Sequence, residues 1–265
     1  MSIFRSIVTA LFAFTLSAAA GAAHADPLTV DNIISRGTIN VGIILDTPPY
    51  GVLDAQQNPD GFDTDVAKLL AQYLGVKLNV VSLVGANRIP FLLTNKVDLV
   101  MAGLAITPER AKQVAFSSPI SADNNMVYGR TDQTIKSIDD LIGKRAGTTR
   151  GSAGDTIMTK VLGDKAQIMR FDNNSSQIQA LLGKQVDTIA VSEIYADSAL
   201  AQSPDPTIEK KFVLNTQVEG IAMRKEDTDL LQWVNSFVLY IKSDGELNAI
   251  YQKWWHKPVP DLPTF

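Results

Sequence analysis

The sequence predicts an α/β protein built as two lobes, and three observations predict it. Apolar strands alternate with amphipathic helices along the chain, the pattern of largely parallel sheets covered by helices. One motif occurs twice: Leu92-Leu93-Thr94-Asn95-Lys96-Val97-Asp98 and Leu181-Leu182-Gly183-Lys184-Gln185-Val186-Asp187 share LLxxxVD, each ending a helix and entering a buried strand. The 265-residue chain is also long enough for two cores, and with no cysteine it must fold by burial alone.

The elements follow in order. Ile39–Leu45 reads as the first buried strand. Asp63–Leu74 is an amphipathic helix: Val66, Leu69, Leu70, Tyr73 and Leu74 recur at helical spacing, and Gly75 closes it. A strand is expected at Lys77–Val81, then a short helix at Ile89–Thr94 with Pro90 in its first turn. Val97–Ala102 is a short apolar run, the mark of a strand covered on both faces. Asn124–Arg130 is extended, and Ser137 with Asp140 has the spacing of a capping box. Strands at Arg145–Thr149, Ala166–Phe171 and Val186–Val191 alternate with helices ending near Leu162, at Ser175–Leu182 and at Ile194–Gln202. Strands at Lys211–Thr216 and Gly220–Arg224 precede two closing helices, Thr228–Lys242 and Gly245–Trp254.

Residues 1–25 carry one arginine, an apolar core and the small-x-small end Ala23-His24-Ala25, and read as a secretory signal peptide. Nothing later approaches the ~20 apolar residues of a membrane span. The expected location is the bacterial periplasm. Without Arg5 and His24, 23 basic side chains stand against 28 acidic ones, a net charge of −5. No basic stripe exists to bind nucleic acid. His256 is the only histidine left, which removes the material for a Ser-His-Asp triad, a Cys-His pair or a histidine zinc site. Neither a cofactor nor a metal is expected.

In the register of the repeated motif, Gly103 and Ser192 lie just past the carboxyl ends of two strands, where α/β sheets bind ligands. Thr107-Pro108-Glu109-Arg110 follows: an N-cap, a proline at the first helical position, and a guanidinium beside the positive end of a helix. That arrangement suits capture of a carboxylate or phosphate. Thr149-Arg150-Gly151-Ser152-Ala153-Gly154 is a small-residue turn opening another helix. Asp98 and Asp187 start strands at the end away from the cleft and read as structural. Trp233, Trp254 and Trp255 read as packing on the terminal helices, and Asp63 and Asp65 as caps of the first long helix.

Together these segments resemble a known family. Val41-Gly42 with Pro48-Pro49-Tyr50, Gly61-Phe62-Asp63-Thr64-Asp65, Asn87-Arg88-Ile89-Pro90, Lys96-Val97-Asp98, Thr107–Arg110, Phe116-Ser117 with Pro119, and Lys253-Trp254-Trp255 stand in the order and spacing of the periplasmic solute-binding proteins of polar amino-acid ABC importers (family 3). The resemblance implies a two-lobe Venus-flytrap fold of type II with two crossing hinge strands, here near Val127–Arg130 and Gly220–Arg224. Lobe one would take residues 26–128 and 223–265, and lobe two 129–222. It also implies a monomer that closes over a small carboxylate-bearing solute, an amino acid or derivative, and docks on an inner-membrane ABC permease.

Carried over by position, Arg110 resembles the clamp for the ligand α-carboxylate. Gly103 would offer its carbonyl, Ala105 its N–H, and Ser152 and Ala153 the helix opening across the cleft. Thr47 and Gly85 stand where many members have apolar or aromatic walls, and Tyr50 lies near the cleft mouth. Asn87–Pro90 and the ending His256–Pro260 resemble the glutamate/aspartate-binding branch, in which an arginine at position 88 meets a side-chain carboxylate. In the alternative, Arg88 is a solvated residue of a first helical turn, and Ile44 replaces a further arginine of that branch. Ser192 stands where the family has the aspartate that pairs with the ligand ammonium. Three readings stay open there: Glu193 substitutes, Ser192 accepts a weaker bond, or the ligand has no ordinary α-ammonium. The chain is expected to bind rather than catalyse. The alternatives are a cyclohexadienyl dehydratase-like enzyme with Glu193 as general acid, and the ligand-binding partner of a sensor.

Overall fold

Two five-stranded sheets, each flanked by helices, form the two lobes that the alternating pattern predicts. The computed structural model describes residues 27–263, so the expected signal peptide lies outside the described residues. Thr29 caps α1 (Val30–Arg36) and Asn32 answers on the Thr29 N–H; its one buried residue, Ile33, left no periodic signal in the sequence. The chain continues through β1 (Thr38–Ile43), a small hairpin of β2 (Val52–Leu53) and β3 (Pro59–Asp60), and α2 (Phe62–Leu74). α2 buries Val66, Leu70 and Leu74 and stops at left-handed Gly75, φ 68°. Then come β4 (Lys77–Ser82), α3 (Arg88–Leu93), β5 (Leu99–Val100), α4 (Pro108–Ala111) and β6 (Ala115–Phe116).

β7 (Ser121–Arg130) leads into the second lobe, with β8 (Arg145–Thr149), α5 (Ala153–Leu162), β9 (Gln167–Phe171), α6 (Asn174–Leu182), β10 (Thr188–Ser192) and α7 (Glu193–Gln202). β11 (Ile208–Glu219) leads back to β12 (Ala222–Met223), α8 (Thr228–Ser243) and α9 (Glu246–Trp255). The sheet orders are β4-β1-β5-β12-β6 and β11-β7-β10-β8-β9. Within them, β1 is parallel to β4 and β5, and β8 is parallel to β9 and β10.

β7 and β11 form one long antiparallel ribbon, from Ser121 opposite Glu219 to Arg130 opposite Ile208. The chain passes between the lobes at the Ser121 end. There the Ser117 N–H donates to the Ile221 carbonyl at 2.9 Å and the Ile120 N–H to the Glu219 carbonyl at 2.9 Å. This is earlier than the expected passage near Val127–Arg130, since Val127 pairs with Ala190 inside the second sheet. The strand begins at Ser121, three residues before the extended stretch expected from Asn124. The partner strand satisfies its backbone, and that partner lies far along the chain.

Phe62 is fully buried in lobe one, stacked on Trp255 at 4.2 Å and edge-on to Tyr251 at 5.5 Å. The Lys253 ammonium and Trp254 indole donate to Asp65 at 2.6 and 2.8 Å, tying α9 to α2. The second lobe packs Tyr128, Leu181, Val186 and Ile189 into its own core.

The repeated motif folds the same way twice. Asn95 and Lys184 both adopt positive φ, 56° and 59°. Their N–H groups donate to the carbonyls of Leu92 and Leu181 at 3.0 and 3.1 Å. Each aspartate then pins a neighbouring strand. Asp98 accepts from the Asn40 N–H at 2.7 Å and from the Arg36 guanidinium; Asp187 accepts from the Arg145 N–H at 2.8 Å and its guanidinium at 2.7 Å. Asp98→Ala leaves the Asn40 N–H without its acceptor, and the expected cost is about 1–3 kcal/mol in urea unfolding. Ligand affinity should not change. Lost affinity at full stability would contradict the structural role.

Candidate functional site

The cleft between the lobes holds a partly open cavity of about 90 Å³. One water needs about 10–15 Å³ on that measure, so there is room for a ligand of amino-acid size. Lobe one contributes Thr47, Tyr50, Arg88, Gly103, Ala105 and Arg110; lobe two contributes Ser152, Ala153 and Ser192.

Arg110 sits on the single turn of α4, held there by the Thr107 cap and Pro108. The residue is 9% exposed, and its guanidinium donates to the Ala105 carbonyl at 2.8 Å and, across the cleft, to the Gly151 carbonyl at 3.0 Å. A guanidinium carries five donors, so three remain for a ligand. The expected helix-end contribution at Thr107 changes place. α4 is one turn long, and its first free N–H groups are few. The well-formed helix end at the cavity is that of α5, whose cap Ser152 accepts from the Asp155 N–H at 3.1 Å. The N–H groups that begin α5 have no intrahelical acceptors, and Ala153 lines the cavity. A carboxylate between Arg110 and this helix end meets a charge-assisted fork on one side and a partial positive charge on the other.

Arg88 is also buried, which rules out the solvated alternative. Its donors go mostly to the protein: Gly85 at 3.0 Å, Ala102 at 3.1 Å, Gly103 at 3.2 Å and Gly151 at 3.2 Å, all backbone carbonyls. One donor remains. Arg88 therefore braces the Ala102–Gly103 turn, and the Gly103 carbonyl is already in use. Burial and the neighbouring Arg110 push its pKa down to about 9, so it stays charged at neutral pH.

Glu193 is the one expected ligand residue that does not line the cavity. As first residue of α7 it accepts from the Lys210 ammonium at 2.7 Å and the Asn124 amide at 2.8 Å. Both pull its carboxylate toward the ribbon and hold its pKa below the usual value. Ser192 caps the same helix and faces the cavity, with its hydroxyl on Asp123.

Two buried acids line the cavity that sequence reading assigned elsewhere or missed. Asp63 accepts from the Gly103 N–H at 3.2 Å and does not cap α2 as expected, since the helix starts after Gly61 with no side-chain cap. Glu219, 3% exposed, ends β11 and bonds Ser121 and Gln217. No local pattern marks it; it reaches the cavity through the ribbon pairing. Burial raises the pKa of both. Among the described residues no cluster of side chains suits a metal ion.

The sequence profile of the "bacterial extracellular solute-binding proteins, family 3" matches residues 39–257. The chain is 30% identical over 227 residues to the "putative ABC transporter arginine-binding protein 2" of Escherichia coli K12, covering 83% of this chain and 91% of that one. It is 26% identical over 274 residues to the "glutamate/aspartate import solute-binding protein" of Salmonella typhimurium, covering 97% and 90%. The crystal structure of the P235GK mutant of ArgBP from T. maritima superposes with a TM-score of 0.80 at 35% identity, covering 87% of this chain and all of that one. The similarity therefore does not single out the glutamate/aspartate branch.

Proposed function

From the premise that this chain belongs to the bacterial extracellular solute-binding proteins of family 3, we propose that it captures an amino acid with a single carboxylate and delivers it to an ABC permease. The observation that carries this reading is Arg110, with three unused donors, facing the opening of α5 across the cleft. The protein works in the periplasm as a monomer, the lobes closing over the ligand.

The acidic-ligand branch is disfavoured by the other arginine. Arg88 has one donor left, too few for a bidentate grip on a side-chain carboxylate. Asp63 and Glu219 in the cavity wall, and Asp46 and Asp172 beside it, repel a second negative charge. The dehydratase alternative loses its general acid, because Glu193 is engaged by Lys210 and Asn124 outside the cavity. Thermal shift against the twenty L-amino acids and L-cystine tests this. A neutral or basic amino acid should give the largest shift, and glutamate and aspartate should bind about 100-fold more weakly, the worth of roughly 3 kcal/mol. Glutamate as the best ligand would overturn the monocarboxylate reading.

A further inference from the structure

We propose that the ligand's α-ammonium is held by the hinge ribbon, through Glu219 on β11 and through Ser192 backed by Asp123 on β7, with no acid needed at the end of β10. This rests on the reading that Arg110 and α5 take an amino acid's carboxylate.

The ribbon register supplies the geometry. Asp123 lies directly opposite Gln217, and Glu219 is two residues further along the Gln217 strand. Side chains two apart on a strand share a face, so Asp123, Gln217 and Glu219 project together from one side of the ribbon. Gln217, Glu219 and Ser192 line the cavity. Asp123, 5% exposed, stands behind Ser192 and accepts its hydroxyl proton. The Ser192 oxygen also accepts from the Tyr195 N–H at 3.1 Å, which leaves it one lone pair. A cation on that lone pair sees Asp123 through the hydroxyl.

Two further atoms await a donor. The Gln217 amide donates to Glu219 at 3.0 Å, and its own oxygen is buried without a partner. The Tyr50 hydroxyl lies beside Glu219, where it can donate to that carboxylate, and no described residue donates to its own oxygen. Tyr50 is 4% exposed and lines the same cavity. Buried polar atoms without partners are costly. An ammonium brings three N–H donors and a positive charge to a place with spare acceptors and two close carboxylates.

Burial and Glu219 push the Asp123 pKa up to about 7, and burial raises Glu219. The groups facing this pair are Tyr50, Tyr251 of α9 and Asp63 of α2, with Arg88 and Arg110 on the Glu219 side. An ammonium favours the ionised acids, and protons compete with it. Amino-acid affinity therefore falls as pH drops through about 7.

The test is calorimetry with the best amino acid of the thermal-shift panel and its des-amino analogue. Glu219→Gln and Asp123→Asn should each weaken the amino acid about tenfold or more and leave the analogue unchanged, whereas Arg110→Ala weakens both. Wild-type affinity for the amino acid in both acid variants overturns the proposal. Wild-type protein alone gives a second readout, in two buffers of different ionisation enthalpy at neutral pH. The amino acid should release a fraction of a proton and the analogue none; no release with the amino acid overturns the proposal without any variant. A wild-type protein that binds none of the panel removes the carboxylate reading itself, and the ammonium site with it.

Discussion

Arg110→Ala abolishes most ligand binding: the expected loss is about 2–5 kcal/mol, or roughly 30-fold and more in affinity. The magnitude comes from where the side chain sits. Arg110 is buried at the cleft, so its removal leaves a ligand carboxylate in a desolvated site with only the α5 helix end as partner. Arg110→Lys keeps the charge but loses the planar fork, and its affinity should fall between the two. Isothermal titration with the best ligand of the panel measures both variants. An Arg110→Ala protein with unchanged affinity would refute the carboxylate site. The same variant also loses the bonds to the Ala105 and Gly151 carbonyls, so its ligand-free melting temperature must be recorded to separate folding from binding.

The second large effect is on stability. Phe62→Ala should cost about 3–5 kcal/mol, because it removes a large side chain from a close-packed place and leaves a cavity. Phe62 has no exposed surface and touches Tyr251 and Trp255 of α9 through aromatic faces and edges. Those two residues are contributed from nearly the other end of the chain. Guanidinium unfolding of the variant should lose midpoint with little change in slope. An effect under about 1 kcal/mol would mean that α9 does not close the lobe-one core. Phe62 also precedes Asp63, so weaker ligand binding is expected as a secondary effect of misplacing that acid at the cavity wall.

Much of the site was legible because its parts are local. Thr107–Arg110 states an N-cap, a helix start and a guanidinium in four consecutive residues, and Ser152 caps α5 as the small-residue turn predicts. The LLxxxVD repeat gave the paired lobes and the structural role of Asp98 and Asp187. Arg88 was visible as a candidate, but the backbone carbonyls that take most of its donors belong to a turn and a helix opening that sequence spacing does not bring together. Glu193 stands off the cavity for a related reason. Position after Ser192 places it near the cleft, yet Lys210, on a strand paired to β7, draws it away.

Hydrophobic period, caps and turn residues are short-range signals, and by themselves they determined the α/β class, most helices and strands, and the arginine that faces the cleft. Tertiary structure alone decided which acids gather at the cavity. Asp123 and Glu219 stand far apart in the chain and become neighbours only when β7 and β11 pair, and strand register is a long-range property written in no local pattern. It likewise decided that α1 exists, since one buried isoleucine and a capping box give no periodicity to read.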